Sequence, residues 1–223
     1  MYVDKETKIV SIKESVHYES NDVIREMMLL AGEGAAKFAF ENNIPFPYIS
    51  QSESDIPAKI CEGLAGQYQL RRCMKKRSVG VTPAMHCALG LSMYSQVTSP
   101  LRRYGDLIAH IQLRSFLDSK PLLDKDTMLL KISAGDEAAR NALQSSRSSE
   151  KHWKLGYLLQ NPGWKGKAIC VDKTQKIPLF NIPSLGMETY MLPPKEMELN
   201  EEAKIEVEEI NLPELKCDFK VCG

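Results

Sequence analysis

No stretch of about 18 consecutive apolar residues occurs in this 223-residue chain, so the sequence offers no helix able to cross a bilayer. The opening MYVDKETKIV is polar and strand-like, unlike a signal or transit peptide. Cysteine is present but unpatterned: Cys61, Cys73, Cys87, Cys170, Cys217 and Cys222 have no paired spacing of the zinc or disulfide type, which favours a reducing compartment. Only four histidines occur, and neither His86 nor His152 has a second ligand at helical or hairpin spacing, so both read as core or surface residues. Charge of either sign is not in excess, with 29 basic against 29 acidic residues, and no global field draws the chain to a polyanion.

What is there is a 43% hydrophobic content, enough for one large or two small domains, and a strongly local distribution of charge. Basic residues gather in Arg71-Arg72-Cys73-Met74-Lys75-Lys76-Arg77 and again at Arg102-Arg103, whereas positions 196–214 are mostly acidic. The first twenty residues alternate in strand fashion. Ser20-Asn21-Asp22 then predicts a helix N-terminus, and Val23, Met27, Leu30, Gly34 and Phe38 give an apolar stripe to about Glu41, with Ala31, Gly34 and Ala35 small enough for close packing. Asn42 to Pro47 ends that helix. Pro100 predicts the first turn of another, capped by Thr98 or Ser99, with Tyr104, Leu107, Ile108 and Ile111 inward as far as Leu117. A short helix before Gly135 and a long one from Asp136 to Leu159 follow. Short strands are predicted at 168–171, 177–180, 188–192, 205–207 and 216–221, spaced as in a small barrel, with a domain boundary near Gly163.

The densest chemistry lies between Tyr94 and His110. A helix opening at Thr98-Ser99 with arginines in its first turn is a natural anion site, and a guanidinium stays charged at physiological pH while gripping a phosphodiester through two donors. Asp106, four residues after Arg102, is placed to hold that side chain. The same pattern also suits an ordinary helix start with solvated arginines and a local ion pair.

Thr98-Ser99-Pro100-Leu101-Arg102-Arg103-Tyr104-Gly105-Asp106-Leu107, with His110 following, closely resembles the signature T-S-P-I-R-R/K-Y-x-D-L/M-x-x-H of RNase II (RNB) exoribonucleases. The resemblance implies that Arg102 contacts the scissile phosphate and that Arg103 and Asp106, at matching positions, support it, with His110 matching too; Arg103 is thereby a candidate RNA contact, and Tyr104, like Tyr94, is a candidate for stacking on a base, although buried packing suits both rings equally. A helix-packing role for His110 remains open. Asp22 to Ala31 is similar to a family helix along the RNA path, which implies an RNA contact for Glu26, otherwise an exposed acid. The chain departs from that pattern at Arg25 and at Gly32, where the family usually has asparagine. Beside such a signature, Lys75, Lys76 and Arg77 become candidate phosphate contacts, though a basic run is as often a solvated face. Details around Ile44 to Pro47, Ser95 to Val97 and Trp153 to Trp164 look most like the fungal mitochondrial branch.

Family members hydrolyse RNA from its 3′ end with magnesium held by an aspartate cluster of the form D-x-x-x-x-x-D-D, which has no counterpart here. Asp124 and Asp126 fit helix capping instead. The resemblance therefore implies an α+β chain: residues 1–162 as the mainly helical second half of an RNB domain and 163–223 as a small β-rich, degenerate OB-like domain. It further implies an exoribonuclease portion that supplies Arg102 and part of the RNA channel, with no metal of its own and Mg²⁺ in the complete enzyme. The alternative is a catalytically inactive RNA-binding or assembly protein. Single-stranded RNA is the expected partner, with a helicase or the other half of the domain as further ones and no membrane. The expected compartment is mitochondrial or cytoplasmic.

Overall fold

A computed structural model describes residues 1–222 as mixed helix and antiparallel sheet, in two compact units each assembled from separated stretches of chain. One unit comprises residues 16–55 and 74–143; the other comprises 1–15, 56–73 and the described residues from 144 to 222. Compactness thus divides the chain differently from a single cut near Gly163.

In the first unit, helix α1 (Glu19–Glu41) starts where expected, with the Asn21 side chain accepting the Tyr18 N–H at 3.1 Å. It ends at Asn42, and Asn43 takes up a left-handed conformation before Ile44-Pro45. The expected inward stripe is overturned. Val23, Met27, Leu30 and Phe38 are exposed, and the buried face is Gly32, Ala36 and Ala39. Both faces repeat at helical spacing, so periodicity alone does not choose between them. Close approach does: a Cβ on Gly32 would lie 2.3 Å from the Tyr94 ring and 2.4 Å from the Ser95 carbonyl oxygen, whereas one on Gly34 would meet nothing within 4 Å. The helix packs through its small side, over a core of Ala36, Ala39, Ile44, Phe46, Tyr48 and Ala109.

Strands β3 (Tyr48–Ser50) and β4 (Ser78–Gly80) pair antiparallel in this unit. Helix α3 runs from Tyr104 to Leu117, not from Pro100, and of its expected stripe only Ile108 is buried, beside Asp106, Ala109 and Gln112. Gln112 explains one buried polar position. Its amide donates to the carbonyls of Pro45 (2.8 Å) and Leu123 (3.1 Å) and accepts the Leu123 N–H (2.9 Å).

The two helices expected on either side of Gly135 are one helix, α4 (Lys125–Gln160). Asp124 caps it by accepting from the Thr127 N–H (2.8 Å) and hydroxyl (3.0 Å). A glycine inside a helix costs about 1 kcal/mol without ending it. Here the missing side chain makes room, because a Cβ at Gly135 would sit 2.6 Å from the Tyr104 ring.

The second unit is built on a five-stranded antiparallel sheet of β5 (Lys165–Asp172), β6 (Leu179–Ile182), β7 (Met187–Tyr190), β8 (Glu202–Asn211) and β9 (Lys216–Val221). Its order is β7-β6-β5-β8-β9. The central β5 pairs with β8 along Lys165–Ile169 and with β6 from Ile169 onward, and its register shifts between Cys170 and Asp172. Such a bulge sharpens the twist and lets one strand serve both halves of a small, partly open barrel. Ala168, Cys170, Phe180, Ile182, Ile205 and Phe219 face the core, where Leu155 and Leu158 of α4 join them. The expected N-terminal strand run is reduced to β1 (Tyr2–Val3) and β2 (Val10–Ser11) around a turn in which Asp4 accepts the N–H groups of Glu6 and Thr7.

Helix α2 (Gly63–Cys73) is tied into this unit at both ends. Asn200 accepts the Ala65 N–H at 2.9 Å and donates to the Glu62 carbonyl at 2.8 Å, and Arg72 meets the nearly buried Asp172 at 2.6 Å. Burial alone would raise the Asp172 pKa, but hydrogen bonds from Thr174 and the Arg72 guanidinium outweigh it and hold the group below its ordinary 3.8. A carboxyl whose pKa is depressed on folding contributes stability that is full above the unfolded value and lost as pH falls through the folded one. The stability gap between the natural chain and Asp172→Asn should therefore narrow as urea titrations move from about pH 5 toward about pH 2. A gap constant across that range would contradict the pairing.

Candidate nucleic-acid interface

The signature segment folds as a turn followed by a helix. The Ser99 carbonyl accepts the N–H groups of Arg102 (3.2 Å) and Arg103 (3.0 Å), so Pro100 occupies the second position of a turn for which its fixed φ is suited. Arg103 is extended (φ −121°, ψ 116°), which delays helical geometry to Tyr104. Arg102 accordingly lies in the turn that precedes α3 and not in its first turn.

The expected pairing of Asp106 with Arg102 is replaced by a different one. Asp106 is 1% exposed, and a single carboxylate oxygen, Oδ2, accepts from the Ser99 N–H (2.8 Å), Arg103 Nε (3.1 Å) and Arg103 Nη2 (2.7 Å). Arg103 Nη2 also donates to Thr98 Oγ1 at 3.2 Å. The i,i+3 spacing wins because the turn carries Arg102 off the helical face on which Asp106 sits. Among the described residues, the Arg102 side chain makes no hydrogen bond or ion pair.

Arg102 and Arg103 open onto a cleft of about 310 Å³ in the first unit. One wall is the small-residue side of α4, including Gly135 and Ala139; another is Pro47, Ile49 and Val79. Tyr104 lines it with its ring packed over Gly135. Arg77 also reaches the cleft, where its Nη2 pairs with Asp136 at 2.8 Å. Arg77 and Arg103 are each matched by a carboxylate, so the unmatched positive charge in the cleft is that of Arg102. An exposed guanidinium at the mouth of an otherwise balanced, partly apolar cleft suits a single phosphodiester.

Other candidates lie elsewhere. Glu26 is exposed on α1 with Arg25 at 3.2 Å and does not line the cleft. Neither do Lys75, which meets Asp55 at 2.8 Å, and the exposed Lys76. His110 Nε2 lies 2.7 Å from the Val97 carbonyl and ties α3 to the irregular segment before the turn. Tyr94 packs edge-on to His86 (5.8 Å between centroids) and against Gly32. Asp136 is the cleft residue that local spacing could not reveal, because its partner is 59 positions away. Among the described residues no group of three His, Cys, Asp or Glu is placed to hold a metal ion.

The family model for the RNB domain matches residues 1–119. An uncharacterized ribonuclease of Synechocystis is 33% identical over 194 residues, covering 83% of this chain and 29% of its own length. The mitochondrial exoribonuclease II of Saccharomyces cerevisiae is 28% identical over 208 residues, covering 85% of this chain and 21% of its own. Both relatives are more than three times as long as the part of them that is matched. Among solved structures, Mycoplasma genitalium RNase R in complex with ribose-methylated single-stranded RNA superimposes with a TM-score of 0.82 at 16% identity, over 99% of this chain and 44% of that one. That likeness is one of fold. With the family match over more than half of its length and the signature turn placed at a cleft, the chain belongs to the RNB family.

Proposed function

We propose that this chain is the C-terminal portion of a hydrolytic 3′ to 5′ exoribonuclease, in which Arg102 grips a phosphodiester of single-stranded RNA at the α3–α4 cleft. The observation that carries the reading is the unpaired Arg102 guanidinium beside two arginines already neutralised by carboxylates. The relatives named as exoribonucleases support the activity, and those named as mitochondrial support that compartment. Arg103, Tyr104 and Arg77 shape the channel, Asp106 and His110 brace it, and Glu26, Lys75 and Lys76 belong to outer parts of the RNA path. Hydrolysis needs a carboxylate cluster, and none is formed among the described residues, so on this reading the chain alone binds RNA without cutting it. Beyond RNA, its partners are the preceding half of the RNB domain and a helicase.

Binding of a labelled single-stranded oligoribonucleotide, followed by anisotropy, tests this. Arg102→Ala should weaken binding about 10-fold, as loss of a charge-assisted contact does. It should also flatten the slope of log affinity against log salt by about 0.7, the share of one phosphate on a single strand. Arg102→Lys should restore the salt slope but not the full affinity. An unchanged affinity in Arg102→Ala would remove the phosphate grip, and ladders of shortened RNA produced by the purified chain in magnesium would overturn its inactivity. If the chain binds RNA and no aspartate run is encoded upstream, the second reading, an inactive RNA-binding or assembly protein, replaces the first.

A further inference from the structure

Two arginine–carboxylate pairs line the cleft at which Arg102 opens, and they are held with unequal firmness. Arg103 donates through both Nε and Nη2 to Asp106, which is almost wholly buried. Arg77, the residue before β4, reaches Asp136 on α4 through one bond, Nη2 to Oδ1 at 2.8 Å. Among the described residues this is the only hydrogen bond that either side chain makes, and the two are 45% and 34% exposed. Burial decides which pair can open. Separating a buried pair shifts an equilibrium on the order of 100-fold or more, because the abandoned charge finds no water. Separating an exposed pair costs a factor of about 5 at most, because water takes over at both ends. Asp106 therefore keeps Arg103, and Asp136 only lends Arg77.

A phosphodiester entering the cleft competes well for that loan. Its two free oxygens match the guanidinium fork and accept two parallel bonds, where Asp136 accepts one. We propose that Asp136 is a resident competitor of RNA: an entering strand draws Arg77 off the carboxylate and onto one of its phosphates, and Asp136 takes the arginine back when the strand leaves. The cleft thereby holds a second, reversible phosphate grip beside Arg102. A strand that advances through a channel needs contacts that release as readily as they form, and a carboxylate within reach of Arg77 lowers the cost of letting go.

The inference rests on the reading that this cleft binds single-stranded RNA, and the two can fail separately. Anisotropy of a labelled single-stranded oligoribonucleotide on the full chain, titrated across a range of salt, tests it through a double-variant cycle. Asp136→Asn should bind about 5-fold more tightly than the natural protein, the factor that the exposed pair costs. Arg77→Ala should weaken binding, and more so in the Asp136→Asn background: about 10-fold there, with the salt slope flattened by about 0.7. A pair that merely braces β4 against α4 gives no gain in Asp136→Asn, and a carboxylate that only repels RNA gives the same gain whether position 77 holds arginine or alanine. Either result overturns the proposal. Asp136→Ala, which suits a helix interior, repeats the measurement should asparagine disturb α4, and melting midpoints establish that each variant is folded. Binding weakened by Arg102→Ala but unmoved by Asp136→Asn overturns this inference alone; no binding by the natural chain overturns both.

Discussion

Gly32→Asn, which introduces the asparagine of the pattern that α1 resembles, is expected to destabilise this chain by about 3 kcal/mol, toward the upper end of what overpacking costs. In a chain of this size that is a fall of roughly 6–12 °C in the melting midpoint. The reason is a backbone contact. The Ser95 N–H donates to the Gly32 carbonyl at 3.3 Å, and the Ser95 hydroxyl to the Pro47 carbonyl at 2.6 Å, so the segment facing α1 is pinned on both sides. A side chain at position 32 would have to displace the Ser95 carbonyl, 2.4 Å from its Cβ, and the Tyr94 ring together. Gly34→Ala, two residues on and facing open space, should do the opposite and stabilise by about 0.5–1 kcal/mol through helix propensity. Far-UV circular dichroism of the pair decides the matter. Equal midpoints for Gly32→Asn and the natural chain would mean that α1 does not approach Ser95 so closely.

Asp106→Ala carries the second large effect, on stability and on binding. Its removal leaves the Ser99 N–H and the Arg103 fork without their shared acceptor, a loss of about 3 kcal/mol for a buried ion pair broken on one side. Simple electrostatics predicts that deleting a negative charge beside the proposed phosphate cleft tightens RNA binding. The hydrogen bonds predict the reverse, because Asp106 fixes both the start and the end of the turn that presents Arg102. Asp106→Ala should therefore weaken RNA binding about 5- to 10-fold at a temperature where it remains folded, the size expected for mispositioning one charge-assisted contact. Asp106→Asn, which keeps an acceptor oxygen, should fall between. Tighter binding by Asp106→Ala would sink the positioning role.

Much of this was legible in the chain because local chemistry set it. The five strands follow short β-rich runs between turn residues, and all five overlap the segments expected. The end of α1 follows from Asn42, Asn43 and the prolines beyond. The signature drew attention to a turn that the structure sets beside a cleft. What the sequence could not convey was decided by packing over distance. Which side of α1 is buried depends on the approach of Tyr94 and Ser95, more than sixty positions away. Gly135 reads as a helix end until the Tyr104 ring is seen against it. The choice between Arg102 and Arg103 as the partner of Asp106 turned on one extended residue, Arg103, which spacing rules assume to be helical.

The interleaving of the sheet-bearing unit has a practical corollary for dissection of the gene. A chain cut at Gly163 would shed every strand of the five-stranded sheet, yet keep Leu155, Leu158, Ile12 and α2, which are parts of the same core and its covering. The remnant would present naked leucines and an unsupported amphipathic helix, and should be recovered as inclusion bodies. Soluble halves are to be sought by severing the chain at several points and co-expressing the pieces.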